Sequence, residues 1–241
     1  MSEQLAHPVV LAEDPGVAAI QTLIGTVAGE AFGLASRIAA EVTEVFGRQD
    51  AVRRTDLAGV GALVLPSLAD PDGRIQGAGY VAAVDALADS RWWLEWFMLR
   101  NGTPERLVVD TDPRGENFYD YESLPWYVVP RTTRRRHITG PYVDYLCTDD
   151  YTLTFTVPVL VGDRFAGVAG ADLKVFAFEK AVLPQLRATQ RTMAIVNAQG
   201  RVVLSNSARH VSGTLLHSPD TTSYPIGDLP LALVDLPVRK S

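Results

Sequence analysis

Between residues 17 and 46, Ile20, Leu23, Ile24, Val27, Ala31, Leu34, Ile38, Val42 and Val45 recur at intervals of three and four. That spacing lines up one apolar face of an α-helix. Asp14-Pro15 supplies a start and Gly47 a stop. The segment exceeds the usual globular helix, which predicts that it runs along a whole domain or pairs with a second copy of itself. Gln21, Glu30, Arg37, Glu41 and Glu44 interrupt it, so the reading predicts no membrane span. A shorter apolar helix is predicted over 56–68.

From residue 75 the period changes. Strands are predicted over 75–85, 91–100 and 106–110, separated by Ala88-Asp89-Ser90 and Asn101-Gly102 turn signals. An aromatic, turn-rich stretch covers 117–131. Three more strands are predicted over 142–147, 151–161 and 164–173, with Gly162-Asp163 as the hairpin turn between the last two. A helix over 175–189 then leaves the sheet despite Pro184. The order is that of a helix-flanked antiparallel sheet, an α+β fold, rather than the β-α alternation of a parallel one. A further hairpin, 193–197 with 201–205, closes around Ala198-Gln199-Gly200. The tail from about 217 reads as loop with one apolar run at 229–234. Trp92 and Trp96 fall on one face of their strand and Trp93 on the other, with core packing expected for at least two of them.

Composition narrows the function. The chain has 241 residues, 47% hydrophobic and 21% charged, with a net charge of −6. It is large enough to bury a core, and its acidity argues against nucleic-acid partners, whose phosphates need a basic face. The start, MSEQLAHPVV, lacks the cationic and apolar regions of a secretory signal. The one cysteine, Cys147, permits no internal disulfide, so the cytoplasm is the expected compartment. No Gly-rich phosphate loop and no nucleophile elbow is present. The four histidines, His7, His137, His210 and His217, lack metal-ligand spacing. The reading therefore names no catalytic residue, no metal and no cofactor. The basic run Arg131-Thr132-Thr133-Arg134-Arg135-Arg136-His137 is either a solvated loop, the favoured reading, or a grip for a phosphate, carboxylate or acidic partner.

The informative stretch is 117–173. It carries Tyr119, then Trp126-Tyr127, Pro141-Tyr142-Val143-Asp144, Thr154 to Val159, and Gly167-Val168-Ala169-Gly170-Ala171-Asp172. In this order and spacing the set resembles the ligand-binding module of double Cache sensor domains. The resemblance covers most of 17–215. It implies a PAS-like antiparallel sheet module over 51–189 behind a long N-terminal helix within 1–50. A smaller, truncated second PAS-like module and tail take up 190–241. In amino-acid-binding members a tyrosine and two aspartates hold the ligand's ammonium group. An arginine two residues before the tryptophan holds the carboxylate, with help from that tryptophan, which falls on Trp126 here. The ammonium positions fall on Tyr142, Asp144 and Asp172, with Tyr119, Trp126 and Tyr127 as aromatic surroundings. The arginine position holds Leu124. The resemblance thus keeps the amine half of the site and loses the principal carboxylate clamp.

The physical reading of these residues agrees. A desolvated cation needs opposite charge, and aromatic faces add cation–π attraction. Taken singly, Tyr142 and Asp144 also fit one polar strand face, and Asp172 a strand end or helix cap. Typical double Cache domains are extracellular and held by membrane helices, and this chain is expected to have neither membrane helix nor output domain. Three functions follow. The first is a soluble sensor of a small amine or amino-acid-like ligand, acting through a homodimer or a separate signalling protein. The second is a small enzyme using Asp144, Asp172 or His137 as acid–base groups. The third is an interaction protein with a vestigial pocket.

Overall fold

The computed structural model describes residues 14–143, 151–216 and 221–237. The predicted long helix is present as α1 (Pro15–Arg48). Asp14 caps it, its carboxylate accepting from the Gly16 N–H at 2.7 Å, and Pro15 occupies the first turn, where no backbone N–H is needed. At 1.5 Å per residue it is about 50 Å long. After a short 3-10 turn, Arg54–Leu57, comes α2 (Ala58–Ala69).

Ten strands follow among the described residues, in two antiparallel sheets. The first contains β1 (Ile75–Ala82), β2 (Leu94–Arg100), β3 (Thr103–Arg106), β4 (His137–Val143), β5 (Tyr151–Val161) and β6 (Arg164–Lys174), in the order β3-β2-β1-β6-β5-β4. Helix α3 (Pro125–Thr133) lies between β3 and β4 in sequence, and α4 (Val175–Ala188) leaves the sheet after β6. The second sheet contains β7 (Met193–Asn197), β8 (Val202–Ser205), β9 (Thr222–Pro225) and β10 (Leu231–Asp235), in the order β8-β7-β10-β9.

Four predicted elements differ. The third strand is at 103–106, not 106–110. Asn101 and Gly102 both have positive φ (52° and 77°), so the turn is a two-residue one and Thr103 pairs at once with Arg100. The turn-rich stretch contains α3, masked in sequence by its two prolines, two valines and arginine run. Burial of Trp126, Tyr127 and Pro130 outweighs that weak propensity. The tail supplies two strands, of which β10 inserts between β7 and β9. Its pairing with β7 spans more than thirty residues, beyond any local signal. The strand expected at 142–147 starts earlier, at His137, and residues 144–147 lie outside the described residues.

By length and composition alone, α1 is also apolar enough to cross a membrane, which differs from the sequence reading. Its apolar face is occupied here. Val17, Ile20, Ile24, Val27, Leu34, Ile38 and Val42 share one core with Phe155, Ala171 and Leu173 of the first sheet and Ile195, Val203 and Leu233 of the second. One helix thus serves as a common wall for both modules. Polar ties add to it: Asn197 Nδ2 donates to Gly140 O at 2.7 Å, and Gln21 Nε2 to Pro225 O at 2.6 Å.

Candidate functional site

The first sheet has two unlike faces. Facing α1 are Leu153, Phe155 and Val159 of β5 and Ala169, Ala171 and Leu173 of β6, all in the common core. The alternate residues face away. Cross-strand pairing places Thr139 and Tyr142 of β4 beside Thr154 and Thr152 of β5. These pair with Asp172 and Lys174 of β6, and Asp172 with Gly77 of β1. One row over, His137, Thr156, Gly170, Gly79 and Trp96 follow one another across the sheet. This face is polar at its centre, with no side chain at three positions. It is roofed by α3, which packs on β4, β5 and β6.

Asp172 is the acid of this face among the described residues and is almost fully buried. Thr154 donates to its Oδ1 at 2.6 Å, and Thr154 Oγ1 is 2.7 Å from the Tyr142 hydroxyl. Because Thr154 spends its one proton on Asp172, Tyr142 is the donor to Thr154. The relay Tyr142→Thr154→Asp172 crosses three adjacent strands and points two hydroxyl dipoles toward one carboxylate. A buried carboxylate supplied with donors stays an effective partner for a cation. Asp144, the second predicted acid, lies outside the described residues.

The aromatic wall comes from the segment before β4. Leu124 is the N-cap of α3, its carbonyl accepting from the Tyr127 and Val128 N–H groups at 2.9 Å each. Trp126 and Tyr127 are therefore presented from the first turn. Tyr119, Leu124, Trp126, Tyr127 and Tyr142 belong to one apolar cluster with Trp92, Trp96, Tyr121 and Val168. Tyr127 is wholly buried, its ring 5.3 Å from Tyr121 and 5.5 Å from Phe165. It stands behind Trp126 as packing, and burial raises its phenol pKa. Six predicted site residues thus lie on one face of one sheet, and the seventh lies outside the described residues.

Sequence reasoning missed other residues here. Thr139 and Thr156 were signalled only by alternation along strands, and Thr154 only as the start of a motif strand, with no role of its own. The hydroxyls of Thr139 and Thr156 are buried without a hydrogen-bond partner among the described residues. His137 faces Thr156 from β4, and burial lowers its pKa below the ordinary imidazole value. Trp96 shares the site face with Trp92, as alternation predicts. Trp93 is on the other side, between the guanidinium groups of Arg54 (4.9 Å) and Arg106 (4.4 Å).

The arginine run is largely committed elsewhere. Arg131 pairs with Glu122 at 2.7 Å and lies over the Tyr127 ring. Arg134 ends α3 in the left-handed conformation and lies over Phe165. Arg136 pairs with Asp228 of the second module and covers Phe32. A separate open cavity of about 320 Å³ at the end of α1 is lined by Phe46, Gln49, Val52, Asp85, Leu87 and Arg164. Arg164 and Asp172 stand at opposite ends of β6, about 26 Å apart at the strand rise, so that cavity is not part of this site.

No family model matches the chain, and no curated protein matches it in sequence. Solved structures do match in fold. A methyl-accepting chemotaxis protein X superposes with a TM-score of 0.60 at 14% identity, covering 92% of this chain and 93% of that one. The ligand-binding domain of the Pseudomonas aeruginosa amino-acid chemoreceptor PctC, in complex with GABA, gives 0.52 at 20% identity, covering 91% and 94%. The sensory domain of the Campylobacter jejuni chemoreceptor Tlp3 gives 0.60 at 9% identity, covering 91% and 89%. The chain has the fold of a double Cache sensor domain. The face described above belongs to the six-stranded sheet, and β7 to β10 form the smaller, four-stranded one. Among the described residues, the outer face of the smaller sheet is apolar, burying Ala194, Val196, Val202, Val234 and Leu236 under Leu216.

Proposed function

We propose that this protein is a ligand-binding sensor module that recognises a small amine or amino-acid-like molecule and has no catalytic role. The observation that carries the reading is the Tyr142–Thr154–Asp172 relay, which aims a buried carboxylate into an aromatic-walled sheet face. A primary ammonium supplies the donors and charge that such a carboxylate accepts, and Trp126 and Tyr119 add ring faces. The fold lends support, since the domains it resembles include amino-acid chemoreceptors solved with GABA, L-Gln and L-Arg. An enzyme reading would need an acid and a base set for proton transfer, and His137 has no carboxylate partner among the described residues. The bound state passes to a partner protein or a second copy of the chain docked along α1. Compartment is a separate matter. The sequence expectation is cytoplasmic, several fold neighbours are extracellular domains, and fractionation of the producing cell decides it.

Isothermal titration of the full chain against amines, amino acids and dicarboxylates tests this. Amine-containing compounds are expected to bind and to be recovered unchanged. Asp172→Asn should cost about 2–5 kcal/mol of binding, as when one partner of a buried charge pair is removed. Selective binding of dicarboxylates, undiminished in Asp172→Asn, would overturn the reading.

A further inference from the structure

Strand β4 carries His137, Thr139 and Tyr142 of the site, yet it lies at the edge of its sheet with β5 as its one strand neighbour among the described residues. Its pairing is irregular. Thr139 lies opposite Thr154 and Tyr142 opposite Thr152, so three steps along β4 match two along β5. This is a β-bulge, one extra residue, at Gly140-Pro141. Side chains alternate along a strand, and one extra residue reverses the alternation. Thr139 and Tyr142 therefore face the same way, and the Tyr142 hydroxyl comes within 2.7 Å of Thr154 Oγ1. In an unbroken strand Tyr142 would point to the opposite face.

The bulge has a partner outside its own sheet. Gly140 has a φ of +121°, and a Cβ there would lie 2.5 Å from Thr152 O, so the conformation requires glycine. Its carbonyl accepts from Asn197 Nδ2 at 2.7 Å. Asn197 ends β7, in the four-stranded sheet. Its Oδ1 accepts from the Gln199 N–H at 3.0 Å and the Arg201 N–H at 2.9 Å, which fixes the end of the amide that faces Gly140. One side chain thus ties the β7–β8 turn to the bulge. A second tie holds the start of β4: Arg136 pairs with Asp228, in the turn between β9 and β10. Both hairpin turns of the four-stranded sheet grip the strand that carries Tyr142.

We propose that Asn197 is a positioning residue of the ligand site: by holding the Gly140 carbonyl it fixes the bulge that turns Tyr142 onto Thr154, so the four-stranded sheet sets the affinity of a site in the six-stranded one. This rests on the amine reading above for what binds, and not for where Tyr142 stands. Asn197 acts through Tyr142 and touches no ligand. A bulged residue leaves the ladder, so its carbonyl needs a partner from elsewhere. Without Nδ2 the bulge loses its anchor and Tyr142 its fixed direction. The coupling is reciprocal. A ligand that selects the bulged strand strengthens the Asn197–Gly140 contact by the factor by which that contact strengthens binding. The β7–β8 turn therefore senses occupancy of a site to which it contributes no ligand contact.

Asn197→Asp tests this in the full chain, because its carboxylate still accepts from Gln199 and Arg201 but has no proton to give Gly140 at neutral pH. Asn197→Ser, which keeps an acceptor for the turn and is too short to reach Gly140, is the second variant, and thermal melts check that each is folded. The first readout needs no ligand. In protein carrying isotope-labelled tyrosine, the Tyr142 signal is identified by its loss in Tyr142→Phe. It is expected to shift in both Asn197 variants while those of Tyr121 and Tyr127 stay in place. An unmoved Tyr142 signal overturns the positioning role. The second readout is titration with L-glutamine and 4-aminobutanoate. Affinity is expected to fall ~10-fold in Asn197→Asp. In Tyr142→Phe, adding Asn197→Asp should cost nothing further, since one residue acts through the other. The same loss in both backgrounds would mean that Asn197 acts on the fold at large, and overturns the proposal. If the wild type binds neither compound, the claim on affinity falls with the amine reading, and the Tyr142 signal decides the positioning role by itself.

Discussion

His137 shows how one residue's surroundings set its chemistry. In the sequence it ends an arginine run and reads as solvated. In the structure β4 turns it onto the site face opposite Thr156, and burial lowers its pKa. The sign of the stability effect follows. The folded chain protonates His137 less readily than the unfolded chain, which takes a proton near pH 6.5. Stability from this group is complete above that pH and is lost as pH falls through it. Glu95 works in the opposite sense. Desolvation raises its pKa despite Arg106 nearby, so its contribution declines as pH rises through its folded value. His137→Gln should therefore flatten the fall in melting temperature between about pH 7 and pH 5. Thermal melts of both proteins across that range check it, and an unchanged slope in the variant would refute the assignment. Asp172 was legible from spacing. Thr154 was legible only as the start of a motif strand; its orienting of Asp172 was not, because that depends on which strand lies beside it.

At the scale of elements, α1 was the most legible part of the chain because its three-and-four period is long. α3 was the least legible, because its aromatic face is set by packing over β4 to β6 rather than by local preference. The outer side of α1 carries a further expectation. Added Cβ atoms at Gly25 and Gly29 would meet nothing within 4 Å, so both open outward from the molecule. Small residues there allow close approach of a second helix, the basis for expecting a homodimer through α1. Light scattering should give the dimer mass at micromolar concentration, and Gly29→Glu should give the monomer with an unchanged melting temperature. A monomeric wild type would reject the dimer and leave the fold intact.

At the scale of the molecule, Arg191 joins the two ends of the described chain. It pairs with Asp14, the cap of α1, at 2.8 Å, with Asp235 at the end of β10, and with the Tyr224 hydroxyl at 3.0 Å. One guanidinium therefore fixes the entry helix to the exit strand, and its acceptors raise its own pKa. Arg191→Ala should loosen that end first, at a cost of about 1–2 kcal/mol for a partly exposed network. Hydrogen exchange should rise in β9, β10 and the first turns of α1, with β5 and β6 unaffected. A uniform rise over both sheets would instead mean that the two modules open as one unit.

The sequence by itself determined the α+β class, the long helix, the hairpins and the aromatic-acidic set on residues 119–172. Each is carried by local periodicity, by turn chemistry at Asn101-Gly102 and Gly162-Asp163, or by fixed spacing along one stretch. The tertiary structure alone decided that β10 enters the second sheet between β7 and β9, and that α1 walls both modules. It also decided that Arg131 and Arg136 pair with Glu122 and Asp228, and that the Trp96 indole and the Asp172 carboxylate both lie against Gly77. These depend on which distant strands lie side by side. Residues 77, 96 and 172 meet only after three strands have paired in register, and no pattern within one strand encodes that meeting.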